Sequence, residues 1–136
     1  MTLQEQLTRD ESLRLKPYRD SVGKLSIGVG RNLDDEGITR EEAEFMLNND
    51  IASHDAALFA ALPWVKDLDD ARQGVLRNMC FNMGIHGLLG FRQTLALIQQ
   101  GKYAEAAEEM LNSKWATQVG ARAQRLAKQL EEGVWV

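Results

Sequence analysis

The chain has 136 residues, a formal net charge of −4, and hydrophobic and charged fractions of 44% and 26%, proportions of an ordinary globular protein. That length buries a core without covalent staples; the single cysteine, Cys80, excludes an internal disulfide. His54 and His86 have no Cys or His at ligand spacing, so neither a metal nor another cofactor is expected. The opening MTLQEQLTRDES lacks a basic segment followed by an apolar one, and no run is long enough to span a bilayer. A single soluble domain, residues 1–136, that accumulates in the cytoplasm is expected.

Residues 2–11 read as a short helix capped by Thr2, with Glu5 completing a capping box and Leu3 and Leu7 on one stripe. Glu11 then falls at the helix's C-terminal end, where the helix dipole disfavours a second negative charge. From Leu15 to Leu33 the pattern changes. Pro17, Asp20-Ser21 and Gly23-Lys24 are turn chemistry, and Leu25, Ile27 and Val29 alternate with Ser26, Gly28 and Gly30, which predicts a small antiparallel sheet. Gly28 and Gly30 mark either a place of close approach or a bulge.

Thr39-Arg40-Glu41-Glu42 is a second capping box and opens a long helix with a stripe of Ala43, Phe45, Met46, Leu47, Ile51, Leu58 and Leu62, ending at Pro63. Another helix runs from near Asp69 to Met83, burying Val75, Leu76, Met79, Cys80 and Met83, with Gly84 as its stop. Cys80 reads as a buried structural thiol. Shorter helices follow at about 91–100, 103–112 and 122–132. Trp64, Trp115 and Trp135 read as core anchors. The fold class is α+β and predominantly helical. A small sheet-bearing lobe spans about 12–45, a connecting helix about 39–62, and a larger helical lobe 1–11 plus 63–136, with a polymer-binding cleft expected between the lobes.

Charge is uneven along the chain. Arg14, Lys16, Arg19, Lys24 and Arg31 face one acid, Asp20, within 12–33, and Lys114, Arg122, Arg125 and Lys128 lie in an acid-free stretch from Met110 to Leu130. These stretches are either solvated faces or a rim that attracts an anionic polymer. Arg72, Arg77 and Arg92 are too sparse for a phosphate-tracking stripe, so no nucleic acid is expected.

Glu11, Asp20 and Ser26 carry the chemistry. Glycosidic cleavage needs one carboxyl group to protonate the leaving oxygen and a second to handle water or the oxocarbenium-like charge. By spacing alone, two carboxylates with eight residues between them are a weak signal and read as two solvated acids flanking a turn. Their surroundings, ESLRLKPYRDSVGKLSIGVGRN, closely resemble the active-site segment of the phage-type lysozymes, glycoside hydrolase family 24. That family's pattern is Glu, eight residues, Asp, five residues, Thr, then Ile-Gly-x-Gly. Asn78 to Gly84, Gly87, Gly90-Phe91, Ala106-Ala107, Ser113 to Trp115, Arg122-Ala123 and Gly133 to Trp135 match as well, over nearly the whole chain.

The resemblance implies a lysozyme-like fold and a muramidase, an endolysin acting on the peptidoglycan glycan strand. Glu11 would be the general acid and Asp20 the second carboxylate. Ser26 would hold the attacking water in place of the family's threonine. Arg122 would pair with the catalytic glutamate and orient it, and Asn32, Phe81, Asn82, Thr94 and Glu109 would touch saccharide. It further implies an inverting hydrolysis, a monomer, and release from the host cytoplasm to the cell wall through a holin-type pore, with no membrane insertion of its own.

The chain departs from the family pattern in places. Ser26 lacks the methyl that restricts threonine's rotamer. Ser12 replaces the glycine usual after the glutamate, which costs about 1 kcal/mol if φ is positive there. Arg31 stands where T-even members have histidine, and Asp34 to Ile38 is a short turn where they carry a longer insert. Two other readings are a lytic transglycosylase, which needs one acid only, and an inactive peptidoglycan-binding or lysis-regulating protein.

Overall fold

The computed structural model describes residues Met1 to Val136. Helix α1 (Leu3–Glu11) starts at the predicted box: the Thr2 hydroxyl accepts the Glu5 N–H, and the Glu5 carboxylate accepts the Thr2 N–H, each at 3.1 Å. Three antiparallel strands follow in the order β1 (Arg14–Arg19), β2 (Leu25–Gly28) and β3 (Arg31–Asn32). Tyr18 opposes Ser26, Ser26 opposes Asn32, and Ile27 opposes Arg31. The register shifts between Arg14 and Tyr18, a stretch containing Pro17, which has no N–H to give the ladder.

Helix α2 (Arg40–Ala61) opens on the second capping box, where the Glu42 carboxylate accepts the Thr39 N–H at 2.8 Å. It ends one residue short of Leu62, whose place before Pro63 disfavours the helical conformation. The chain divides into two compact units inside this helix, Met1–Leu47 and Asn48–Val136.

In the first unit, Arg31 is the organising cation. Its Nη1 and Nη2 donate to the two Glu42 oxygens at 2.8 and 2.7 Å, and Nη1 also reaches the Gly37 carbonyl at 3.1 Å. This fork ties β3 to the first turn of α2. Ile27, Val29, Ile38, Phe45 and Met46 line an open groove of about 780 Å³. The predicted α2 stripe is thus only partly buried: Leu58 is sealed, whereas Phe45 is 69% exposed. Leu3 and Leu7 of α1 are exposed as well.

In the second unit a 3-10 turn (Pro63–Asp67) leads to α3 (Asp70–Leu89), α4 (Arg92–Gln99), α5 (Tyr103–Leu111), α6 (Lys114–Val119) and α7 (Ala121–Glu132). Asp69 caps α3 through the Arg72 N–H, and Gly84 at φ 78° interrupts it where the sequence predicts a stop. Leu76, Met79, Leu88, Ile98, Met110 and Leu130 are fully buried and form the centre of the core. Asp55 on α2 takes both ends of the Arg77 guanidinium at 2.9 Å.

Cys80 is fully buried, donates to the His54 carbonyl at 3.6 Å, and has its thiol pKa raised by burial and then by the Asp55 charge. Trp115 is buried and Trp64 packs partly buried against the core, but Trp135 is 64% exposed, its ring laid on Gly74. No helix is long and apolar enough to cross a membrane.

Candidate active site

Helix α1 delivers Glu11 as its last residue, and the chain must then turn sharply into β1. Ser12 makes that turn at φ 68°, ψ 146°, a region that L side chains rarely adopt. The condition under which serine is costly here is therefore met, and Ser12 holds a positive φ under strain. Glu11 lies against the turn after β2. A Cβ added to Gly30 would stand 3.0 Å from Glu11 Oε2, and Gly30 also holds a φ of 69°, so a side chain there would crowd the carboxylate and strain the backbone.

Asp20 follows β1 directly and shapes the hairpin with its own side chain. Its Oδ1 accepts the Val22 N–H at 3.0 Å and the Lys24 N–H at 2.8 Å, the local closure that suits aspartate to turns. Its backbone pairs with Lys24 and Gly23, and Gly23 takes the positive φ of 86°. Oδ2 makes no hydrogen bond within the protein. One oxygen is anchored and the other is available.

Ser26 is central in β2, between Tyr18 and Asn32, and is 3% exposed. Its hydroxyl bonds no protein group. Since no sealed side-chain oxygen in the chain lacks a partner, this hydroxyl keeps contact with the solvent side. Asn32 shares the Ser26 face of the sheet, and Ile27 and Arg31 take the opposite one. Asn32 is held at both ends by Asp35: its Nδ2 donates to Asp35 Oδ2 at 2.9 Å, and its Oδ1 accepts the Asp35 N–H at 3.0 Å. Glu11, Asp20, Ser26 and Asn32 therefore all belong to the first unit.

The remaining predicted residues belong to the second unit. Arg122 directs Nε and Nη2 to Asn78 Oδ1 at 3.0 and 2.8 Å. Asn82 is fixed by Trp115, whose indole N–H donates to its Oδ1 at 2.8 Å, and Phe81 stands against His54 with ring centroids 5.3 Å apart. Thr94, nearly buried on α4, and Glu109 on α5 line one open pocket of about 470 Å³ with Gly87, Phe91 and Trp115. Sequence reasoning does not single out the Asn78 contact to Arg122 or the Trp115 contact to Asn82. The residues join across 44 and 33 positions, a separation that no local pattern reports.

A carboxyl group thus ends α1, a second is locked into the β1–β2 hairpin, and a nearly buried hydroxyl stands in β2. Comparisons with known proteins identify the family. The family model described as phage lysozyme matches residues 8–132. Two probable T4-type lysozymes of Dictyostelium discoideum, numbered 1 and 2, are each 30% identical over 161 residues, covering 97% of this chain and 95% of the relative. The pre-baseplate central spike protein of Enterobacteria phage T4 is 29% identical over 154 residues, covering 93% of this chain but 27% of that longer protein. With a family match over almost its full length, this chain belongs to the phage lysozyme family of glycoside hydrolases.

Proposed function

We propose that the chain is a muramidase that hydrolyses the β-1,4 bond between N-acetylmuramic acid and N-acetylglucosamine in peptidoglycan. The observation that carries this reading is the placement of Glu11 at the end of α1, Asp20 in the turn between β1 and β2, and Ser26 on β2, all in one unit of a chain of this family. Glu11 gives its proton to the leaving 4-oxygen as the bond from the anomeric carbon breaks. Water, oriented by the Ser26 hydroxyl, attacks that carbon from the other face and gives its proton to Asp20. The Val22 and Lys24 amides hold Asp20 Oδ1, which directs Oδ2 to the water. Attack by bound water inverts the anomeric centre, and the geometry that accommodates it separates the carboxyl groups by about 6.5–9.5 Å.

In the second unit, Phe81, Asn82, Thr94 and Glu109 are the proposed saccharide contacts, and Arg122 the proposed supporting cation. The biological role we propose is that of an endolysin, held in the host cytoplasm and released to the wall through a holin-type pore.

Mass spectrometry of soluble fragments from purified peptidoglycan digested in H₂¹⁸O tests the reaction, with Glu11→Gln as control. Reducing-end muramic acid carrying one ¹⁸O, lost in the variant, is the expected result. Unlabelled 1,6-anhydro ends would make the protein a transglycosylase and leave Asp20 without its role. No fragments from the unaltered protein would point to a binding or regulatory one.

A further inference from the structure

The short turn between β3 and α2 is bonded to the hairpin as well as to its own strand. Two consecutive carboxylates there, Asp34 and Asp35, reach back to the hairpin that carries Asp20. Asp34 Oδ2 accepts the Leu25 N–H at 2.7 Å and lies 3.5 Å from Arg19 Nη1, and Arg19 in turn donates to the Gly23 carbonyl at 3.2 Å. Asp35 Oδ1 accepts Lys24 Nζ at 3.0 Å, and the Lys24 N–H is one of the two that hold Asp20 Oδ1. Asp35 Oδ2 holds Asn32, opposite Ser26 in the sheet. The two carboxylates thus grip the turn on both sides of Asp20 and tie it to the strands beside Ser26.

We propose that Asp34 and Asp35 are positioning residues that fix Asp20 relative to Ser26. The inference rests on the muramidase reading for its kinetic consequence, but not for the brace itself. Exposed ion pairs are weak stabilisers, so the brace contributes little to overall stability. Its effect is geometric. A shift of about 1 Å at a reacting group costs up to about 100-fold in rate, and the group that Asp34 and Asp35 immobilise acts on water in the transition state.

The test is the double variant Asp34→Ala/Asp35→Ala, with Asp34→Asn/Asp35→Asn as a second that preserves side-chain shape. Turnover of soluble peptidoglycan glycan fragments and amide hydrogen exchange are measured on each. The brace predicts kcat lowered about tenfold in the alanine pair with KM within about twofold, and Val22 and Lys24 amides exchanging at least about tenfold faster while Met79 is unchanged. Unchanged kcat overturns the proposal. So does a raised KM with unchanged kcat, which would mean that the aspartates act on saccharide through Asn32. A wild-type protein with no turnover refutes the muramidase reading instead. Exchange at Val22 and Lys24 then decides the brace alone: faster exchange in the variants supports it, and unchanged exchange overturns it.

Discussion

Residues 48–136 and residues 1–47 are held by different forces. Every buried apolar side chain belongs to the first of these, from Leu58 to Leu130, whereas the single buried residue of the other is Ser26. The small unit is held by polar closures: two capping boxes, the Asp20 turn, the Arg31–Glu42 fork and the Asp34–Asp35 brace. Ile27, Val29, Ile38, Phe45 and Met46 line an open groove rather than a core. The residues assigned to the reaction lie in the unit with least packing, where many short hydrogen bonds set side-chain positions individually. Regions with few buried contacts open at lower free energy than core helices. Polar closure therefore supplies the precision that packing does not.

The largest expected effects break this contrast at the core. Leu76→Ala and Met79→Ala remove fully buried side chains from α3, and each is expected to destabilise the protein by about 2–5 kcal/mol. Phe45→Ser in the small unit, at a ring 69% exposed, is expected to change stability by no more than about 0.5 kcal/mol. Urea unfolding of the three variants checks both values. A Phe45→Ser cost equal to that of Met79→Ala would show that the small unit has an apolar core after all.

A smaller effect sharpens the comparison from the other side. Ser12 holds φ 68° beside Glu11, so the small unit carries backbone strain at its site. Ser12→Gly relieves it and is expected to stabilise by about 1 kcal/mol, the residual of a larger strain term and glycine's extra entropy in the unfolded chain. Slower amide exchange in β1 and β2, with the core amides of α3 unchanged, is the outcome that places the gain in the small unit. A loss of stability would mean that the serine side chain compensates for its own backbone.

What the sequence discloses follows the range of the interactions. Thr2 with Glu5 and Thr39 with Glu42 are three residues apart, so both helix starts are legible. Gly84 breaks α3 as a glycine at positive φ does. Glu11, Asp20 and Ser26 are readable as a group because their spacing matches a family pattern, and the same match marks Ser12 as a departure from glycine without fixing its φ. Helix α6 is not foreseen, because six residues between Ser113 and Gly120 are too few to show a helical period. The fate of the α2 stripe is hidden for another reason. Periodicity identifies a face, but whether Phe45 finds a partner depends on the rest of the fold. Trp135 on Gly74, Trp115 on Asn82 and Arg31 on Glu42 are likewise decided by where distant segments meet.

The smallest effect separates the two units by pH. The hydrogen bonds from Arg31, and then the Thr39 N–H, lower the Glu42 pKa from about 4.5 to about 2. In the unfolded chain Glu42 binds its proton near the ordinary value, so between these limits the unfolded state takes up more protons than the folded one. The stability contributed by this carboxylate is therefore complete above about 4.5 and is lost as pH falls towards about 2. Amide protection relative to the unfolded chain, around β3 and the first turn of α2, is expected to fall across that interval before that of the α3 core. Glu42→Gln should show the lower protection already at neutral pH and lose this part of the acid dependence. An identical acid response in the variant would assign the loosening to other carboxylates.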